Sequence, residues 1–356
     1  MIKKSLFACI VLIVIFIFYP SPIEPASWKA PVDQGLTGEF SPNNKLQSSI
    51  VIPLPFGEGP EDLALDREGR IYGGLQDGRI VRTTSSDDYT IEEFVILEGG
   101  RPLGLHFDSK GHLIVADAFL GLLSISPTKE ITVLSTSAGG LPYKFVDDLD
   151  IDSKGMIYFS DASYKYDQHE YKLDLLEMKP NGRLIAYNPK TSTAHVLKDN
   201  LYFANGIALS QNEDFVLVNE TWQYRITRVW LKGEKAGQSD VFIDNLPGFN
   251  DGISSNRQGT FWLALASARK ENVDAMQENI FLKKIISKLP NFMQPKPIYQ
   301  GIVIGLNEEG QVTHNYQDYD GAKVYMVTSV QQEGNKLLLG SLEAPQMVIY
   351  ELNETK

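Results

Sequence analysis

The stretch Leu149-Asp-Ile-Asp152-Ser-Lys-Gly155-Met-Ile-Tyr158 indicates how this chain folds, because the same template occurs at two earlier positions. These copies are Leu63-Ala-Leu-Asp66-Arg-Glu-Gly69-Arg-Ile-Tyr72 and Leu105-His-Phe-Asp108-Ser-Lys-Gly111-His-Leu-Ile114. In each copy an apolar, β-rich stretch lies on either side of a turn, which Asp opens and in which Gly takes the φ > 0 position. The template therefore predicts a β-hairpin.

Three looser copies follow, so the chain contains six repeating units. The six units begin near Pro60, Arg101, Val146, Asn205, Asn250 and Thr328. Most are 41 to 59 residues apart, which is close to the size of a four-stranded propeller blade. We therefore predict an all-β, six-bladed β-propeller over residues 49–356, in which a strand near residues 49–53 completes the last blade. A two-domain sandwich is the alternative, and the shared hairpin signal disfavours it.

The long fifth unit contains an insertion at about residues 271–297. Helical spacing from Ile280 to Leu289 lies within it, between polar and Pro-rich flanks. We expect an excursion from the blade that serves as a lid, a membrane contact or a helix packed on the propeller rim.

Residues 1–20 are predicted to be an N-terminal membrane anchor or signal segment. Lys3 and Lys4 precede an unbroken apolar run from Leu6 to Tyr19, which as a helix would span about 21 Å, less than the hydrocarbon core of a bilayer. Bulky Tyr19 and charged Glu24 stand where a signal peptidase requires small residues, which favours an uncleaved transmembrane signal-anchor.

The two lysines then predict a single-pass membrane protein with the propeller on the extracytoplasmic side. Cleavage would instead leave a secreted or periplasmic protein. Residues 21–48, rich in Pro and Ser, are predicted to be a linker.

Composition excludes several functions. The net charge of −12 disfavours nucleic-acid binding, since such a surface repels phosphates. The single cysteine, Cys9, lies in the N-terminal run, so disulfides, zinc ribbons and cysteine nucleophiles are excluded from the folded part.

The starts of the blades carry the candidate site. In a propeller the innermost strands start beside the central channel, so equivalent residues of different blades converge there. In register, the blade starts offer Glu61, Asp147, Asn205 and Asp251. Three unpaired carboxylates would repel one another, so a cation is expected, and ligation by oxygen alone favours Ca²⁺ over Zn²⁺. The alternative is that each residue caps the turn that enters its strand.

Asp62 and Asp148 follow two of these acids and would point the opposite way along a strand. They are candidates for a second, buried ion, and a structural hydrogen-bonding role is equally supported. Arg101 and Arg269 lie near the channel end and are candidates for binding an anionic substrate, with surface ion pairing as the favoured alternative. Trp222 is expected to pack within a strand.

Four segments carry a family resemblance. Arg101-Pro-Leu-Gly104, Phe145-Val-Asp-Asp-Leu149, Asn205-Gly-Ile-Ala-Leu-Ser210 and Leu337-Leu-Leu-Gly-Ser-Leu342 resemble the strictosidine synthase-like branch of the calcium-dependent lactonase and arylesterase propellers. Within this group the sequence resembles the adipocyte plasma membrane-associated protein type, and the wider superfamily includes SMP-30 gluconolactonases and paraoxonases.

The resemblance implies that the catalytic calcium is held by the same four positions reached from the register. Asp147 departs from the Asn usual there, which implies tighter ion binding and a weaker Lewis acid. Thr328 replaces the catalytic Glu of strictosidine synthases, which disfavours alkaloid condensation. Leu103 replaces the catalytic His of paraoxonases.

The leading hypothesis is a calcium-dependent hydrolase that acts on small-molecule lactones or activated esters. Asp251 is the expected general base or nucleophile, because Gly252 after it leaves room for a substrate near the backbone. The alternative is a membrane-anchored, non-catalytic propeller that binds a ligand or protein partner.

Overall fold

The computed structural model describes residues 15–352 and contains six four-stranded antiparallel sheets. The innermost strand of each sheet contacts the innermost strand of the next, and that of the sixth sheet contacts that of the first. The sheets therefore form a closed ring, and the predicted six-bladed β-propeller is confirmed.

The first three blades follow chain order from the inside outward. Blade one contains β2 (Leu63–Leu65), β3 (Ile71–Gly74), β4 (Arg79–Thr83) and β5 (Ile91–Ile96). Blade two contains β6 (Pro102–Phe107), β7 (Leu113–Asp117), β8 (Gly121–Ile125) and β9 (Ile131–Ser135). A small hairpin, β10 (Ser137–Ala138) and β11 (Leu141–Pro142), precedes blade three. Blade three contains β12 (Val146–Ile151), β13 (Ile157–Asp161), β14 (Gly182–Asn188) and β15 (Thr193–Leu201).

The last three blades include the one that closes the ring. Blade four contains β16 (Ala204–Leu209), β17 (Phe215–Glu220), β18 (Arg225–Trp230) and β19 (Ser239–Ile243). Blade five contains β20 (Gly248–Ser255), β21 (Phe261–Ala268), β22 (Gly301–Leu306) and β23 (Val312–Asp318). Blade six contains β24 (Val327–Glu333), β25 (Lys336–Ser341), β26 (Gln346–Glu351) and the N-terminal strand β1 (Ile50–Pro53). The predicted strand near residues 49–53 thus completes the last blade, with Ile50 opposite Ile349.

The repeated template forms the hairpins predicted for it. The Asp66 carboxylate accepts the backbone N–H groups of Glu68 and Arg70, at 2.9 and 3.0 Å, and Gly69 has φ of +79°. Gly111 and Gly155 repeat this conformation in the next two blades. Only Gly adopts it without strain.

The hydrophobic core lies between blades. Six clusters of buried residues each combine side chains of two neighbouring sheets. Leu105 of blade two, for example, packs with Tyr72 of blade one. Each blade is therefore apolar on both faces, and the ring buries all of these faces together.

Helices interrupt two blades. The predicted insertion of blade five forms α2 (Glu271–Gln277) and α3 (Ile280–Ile286) between β21 and β22. Blade three carries an unpredicted excursion, α1 (Tyr171–Glu177), between β13 and β14. Five short 3-10 helices complete the elements of the described residues: Gly38–Phe40, Lys45–Ser48, Gln168–Glu170, Thr221–Gln223 and Asn291–Met293.

Residues 21–48, predicted to be a linker, pack along both helical excursions. The Ala26 N–H donates to the carbonyl of Glu177 at the end of α1 (2.9 Å), and the Trp28 N–H donates to that of Gln277 at the end of α2 (3.1 Å). Ile23 is buried in a cluster formed by these helices. The segment therefore ties the two excursions together.

Most of the predicted membrane segment lies outside the described residues, which begin at Ile15. Between residues 15 and 352, the structure contains no helix of the length and apolarity that a membrane crossing requires. The end of the apolar run is exposed, with Phe18 at 81% and Tyr19 at 67%.

Candidate functional site

A β-bulge marks the start of the innermost strand in five blades. In β12, Val146 pairs with Asp161 and Leu149 with Phe159, so the inner strand carries one extra residue. The same shift occurs in β6, β16, β20 and β24. Asp147, Asn205 and Asp251 lie at these bulges, which re-aim side chains at the end of a strand.

The structure brings the four predicted site residues to one pocket. Glu61, Asp147, Asn205 and Asp251 all line it. The first three are buried, with exposures of 6, 4 and 5%, and Asp251 is half-buried. Their convergence therefore agrees with the register of the repeats, although they are separated by 46 to 190 residues in the chain.

The three carboxylates perturb one another. Burial is the main cause that raises the pKa of Glu61 well above its usual value, and the charges of Asp251 and Asp147 raise it further. Burial and the charge of Asp251 raise the pKa of Asp147 in the same way. Burial raises the pKa of Asp251 to about 7, and the amide of Asn205 partly offsets this. The pocket therefore concentrates negative charge where water stabilises it poorly.

Arg101 supplies positive charge beside this cluster. It is only 2% exposed, and its guanidinium donates to the carbonyls of Gly59 and Gly74, at 2.9 and 3.0 Å. Its charge lowers the pKa of Glu61 and of Asp147. The expected surface ion pairing of Arg101 is therefore wrong, because closure of the ring buries the side chain against the site.

The donor set fits a hard divalent cation in chemistry. Within the described residues, Glu61 and Asp147 form no side-chain hydrogen bond or ion pair, so their oxygens are free for a ligand. No group of three His, Cys, Asp or Glu side chains in residues 15–352 is positioned to hold a metal ion as it stands. Binding a cation would therefore draw these side chains together from their present positions.

Asp62 and Asp148, the candidates for a second ion, each join two blades. Asp62 accepts the N–H of the residue that follows it (2.8 Å) and that of Leu105 in blade two (2.9 Å). Asp148 likewise accepts the next N–H (2.7 Å) and that of Ile207 in blade four (2.7 Å). These hydrogen bonds are the ones expected if Asp62 and Asp148 have a structural role, because both oxygens of each carboxylate already accept a hydrogen bond.

Apolar side chains form the wall of the pocket above the carboxylates. They belong to blades two to six and to two helices: Leu103, Phe145, Tyr171, Leu175, Phe203, Trp222, Phe249, Val273, Met326 and Leu342. Such a wall excludes water and holds apolar ligands. Sequence reasoning missed it, although Phe145, Phe203 and Phe249 each stand two residues before a predicted site residue. That repeated Phe was the signal that could have revealed part of the wall.

Trp222 and Arg269 differ from their expected roles. Trp222 lies in a 3-10 helix and lines the pocket, and its Nε1 donates to Asp174 (2.9 Å). Arg269 pairs with Asp274 of α2 (2.7 Å) and donates to the carbonyl of Pro31 (2.6 Å). It is 6% exposed, so it fastens α2 and the N-terminal segment rather than pairing on the surface.

The fold and site define a class, a six-bladed propeller with a pocket of oxygen ligands at one end of its channel. The chain belongs to the strictosidine synthase-like family. Residues 147–234 match the strictosidine synthase family, and residues 38–83 match the N-terminal region of strictosidine synthase-like proteins. The strictosidine synthase-like 3 protein of Arabidopsis thaliana is 33% identical over 90% of each chain. The adipocyte plasma membrane-associated protein of Bos taurus is 35% identical over 96% of this chain and 87% of its own.

Solved structures share the fold at low sequence identity. A gluconolactonase from Xanthomonas campestris superposes with a TM-score of 0.63 at 14% identity, covering 94% of this chain and 99% of its own. The calcium-binding protein regucalcin from Agrobacterium tumefaciens superposes with a TM-score of 0.56 at 15% identity, covering 84% and 91%. These two comparisons establish the propeller and nothing finer.

Proposed function

We propose that the protein is a calcium-dependent hydrolase of lactones or activated esters. The observation that carries the proposal is the convergence of Glu61, Asp147, Asn205 and Asp251 at the base of an apolar pocket. When bound, the ion would polarise the substrate carbonyl and stabilise the oxyanion. The gluconolactonase and the calcium-binding regucalcin support this choice, because they share the propeller.

Asp251 is the residue proposed to act on the substrate. In the metal-free pocket burial raises its pKa to about 7, and a bound cation would favour the ionised carboxylate, which is the form that accepts a proton from water. Attack by its carboxylate on the carbonyl is the other role. Glu61, Asp147 and Asn205 would hold the ion, and the apolar wall would place the substrate above it.

Condensation of the strictosidine synthase type is not proposed, because blade six has no acid at the position where strictosidine synthases carry their catalytic Glu. Thr328 occupies that position, is 1% exposed, and donates its hydroxyl to the carbonyl of Glu61 (2.7 Å). It is therefore part of the frame that holds Glu61.

The second candidate is a membrane-anchored propeller that binds a ligand without catalysis. It is favoured by the absence, within the described residues, of three acidic or His side chains already placed for a metal. Hydrolysis of phenyl acetate and of an aliphatic δ-lactone, each with Ca²⁺ and with EGTA, separates the two. We expect turnover that Ca²⁺ supports and EGTA abolishes, and no turnover in either condition would favour the binding protein.

We further propose that residues 1–20 anchor the protein in a membrane, with the propeller on the extracytoplasmic side. The apolar run Leu6–Tyr19 supports this, as do exposed apolar side chains on α3. The Lys288 ammonium donates to the carbonyl of Ile17 (3.0 Å), next to α3, where Phe281 is 62% exposed.

The full chain should stay with membranes after carbonate extraction. Release into the supernatant would point to the secreted or periplasmic alternative.

A further inference from the structure

The pocket changes character in three layers. Its base is anionic, since Glu61, Asp147 and Asp251 lie there, and its wall is apolar. The remaining charged lining residues are three lysines, Lys172, Lys270 and Lys296, which belong to α1 and to the segments that flank α2 and α3. Lys172 and Lys270 are half-buried and Lys296 is exposed, whereas Glu61 and Asp147 are 6 and 4% exposed, so the lysines form the rim of the pocket and the acids its base. A protein of net charge −12 thus lines one pocket with cations outside its acidic base.

None of the three lysines has an anionic partner among the described residues, and of the three only Lys270 donates to backbone carbonyls. The Lys270 ammonium donates to the carbonyls of Lys296 (2.5 Å) and Pro297 (3.5 Å), so it holds the end of the excursion in place. Within the described residues, Lys172 and Lys296 form no ion pair. Their like charges act on each other, because Lys296 contributes to lowering the pKa of Lys172 after the larger effect of burial. An anion bound between them would relieve that repulsion.

One acid lies near this rim. Glu343 favours the charged form of Lys172, but its carboxylate accepts the hydroxyl of Tyr299 (2.7 Å). Its charge acts on Lys172 more strongly than that of Lys296 does, but within the described residues it forms no ion pair with either lysine, so both ammonium groups are free to bind.

We infer that the pocket takes an apolar lactone or ester that carries an anionic group at the end remote from its reactive carbonyl. The acidic base repels an anion and the lysine rim attracts it, so the charge distribution orients the substrate with its carbonyl inward. The apolar wall would contact the chain between the two ends. This inference rests on the proposed function for the reaction, whereas the binding preference can be measured without it.

The reaction test compares two esters of equal length, mono-4-nitrophenyl suberate and its methyl ester, in the presence of Ca²⁺. We expect kcat/KM to be higher for the anionic ester at low salt, by up to about tenfold for two lysines. Lys172→Gln and Lys296→Gln should each lower the ratio of the two values about threefold, and Lys172→Arg should retain it. Lys190→Gln, which removes a charge from an exposed turn, should not change it.

A binding test makes the inference independent of turnover. Calorimetry compares 8-phenyloctanoate with 8-phenyloctanamide, which have the same apolar part and differ in the charge of the end group. Tighter binding of the anion, reduced in Lys172→Gln, would support the inference even if neither ester is hydrolysed, in which case only the proposed hydrolase fails. Equal affinities, or equal kcat/KM for the two esters, would overturn it.

Discussion

Buried charge governs the site at the scale of single residues. The carboxylates of Glu61 and Asp147 lie in the pocket base without hydrogen-bonding partners among the described residues, and the nearby Arg101 compensates only part of their charge. An arginine at this depth is itself costly unless its charge is used. The carboxylates outnumber the buried cation, and the proposed Ca²⁺ would compensate the excess negative charge.

Asp251→Asn distinguishes a catalytic residue from a metal ligand. The substitution keeps an oxygen ligand and the volume but removes the base and a negative charge. If Asp251 is the base or nucleophile, kcat at saturating Ca²⁺ should remain lower by about 10²-fold or more. Steady-state hydrolysis measured across a calcium titration checks this.

Asp147→Asn is the matched control, because it removes the same charge from a neighbouring ligand. Its kcat should recover when Ca²⁺ is raised, with only the calcium requirement increased. Full recovery of kcat in Asp251→Asn as well would leave Asp251 as a ligand only.

At the scale of strands, close contact between the backbones of neighbouring blades positions the candidate ligands. A Cβ added to Gly206 would lie 2.4 Å from the nitrogen of Ile253 and 2.5 Å from the carbonyl oxygen of Asp251. A Cβ added to Gly252 would lie 2.4 Å from the carbonyl oxygen of Thr328. Gly252 therefore makes room for the next blade, and the expectation that it admits a substrate is wrong.

Gly206→Ala should disturb the fold and the site together. Both contacts of the new methyl group are backbone atoms, so blades four and five must separate. A loss of about 1–3 kcal/mol in the free energy of unfolding is expected, with weaker calcium binding because Asn205 and Asp251 move apart. Denaturant unfolding and a calcium titration measure the two effects.

Gly305→Ala tests whether the effect on calcium is local. Its Cβ would meet the side chain of His314, 2.9 Å away on the outermost strand. It should destabilise the protein and leave calcium affinity unchanged. Equal weakening of calcium binding in both variants would mean that general destabilisation, not the position of Gly206, is responsible.

At the scale of the whole molecule, binding of the ion at the site should raise the stability of the folded propeller. Without metal, burial raises the pKa of Asp251 to about 7 and those of Glu61 and Asp147 above their usual values, against about 4 in an unfolded chain. Between these values the folded protein binds more protons than the unfolded chain, so stability falls as pH rises. Calcium would replace those protons.

The melting temperature should therefore be lower in EGTA than in Ca²⁺, with a difference that grows from pH 5 to pH 8. Thermal unfolding monitored by circular dichroism at each pH measures it. A difference of zero at pH 8, or one that shrinks as pH rises, would be incompatible with an ion held by these carboxylates.

The sequence alone determined the blades and the main ligand set. The Asp and Gly turns of the template act locally, and alternating apolar residues predict strands wherever they occur. Because a propeller superposes its repeats, equal positions in the template become neighbours in space. The sequence therefore predicts that four residues at equal positions in the blades converge: Glu61, Asp147, Asn205 and Asp251.

Only the tertiary structure decided what surrounds those ligands. The carbonyls that hold Arg101 lie 42 and 27 residues away in the chain, and the packing of residues 21–48 on α1 and α2 joins segments more than 100 residues apart. The helical excursions and the N-terminal segment follow no periodic pattern, because their contacts depend on how loops of different length meet once the ring closes. Local chemistry therefore specifies the repeat and its ligands, and closure of the ring specifies the pocket.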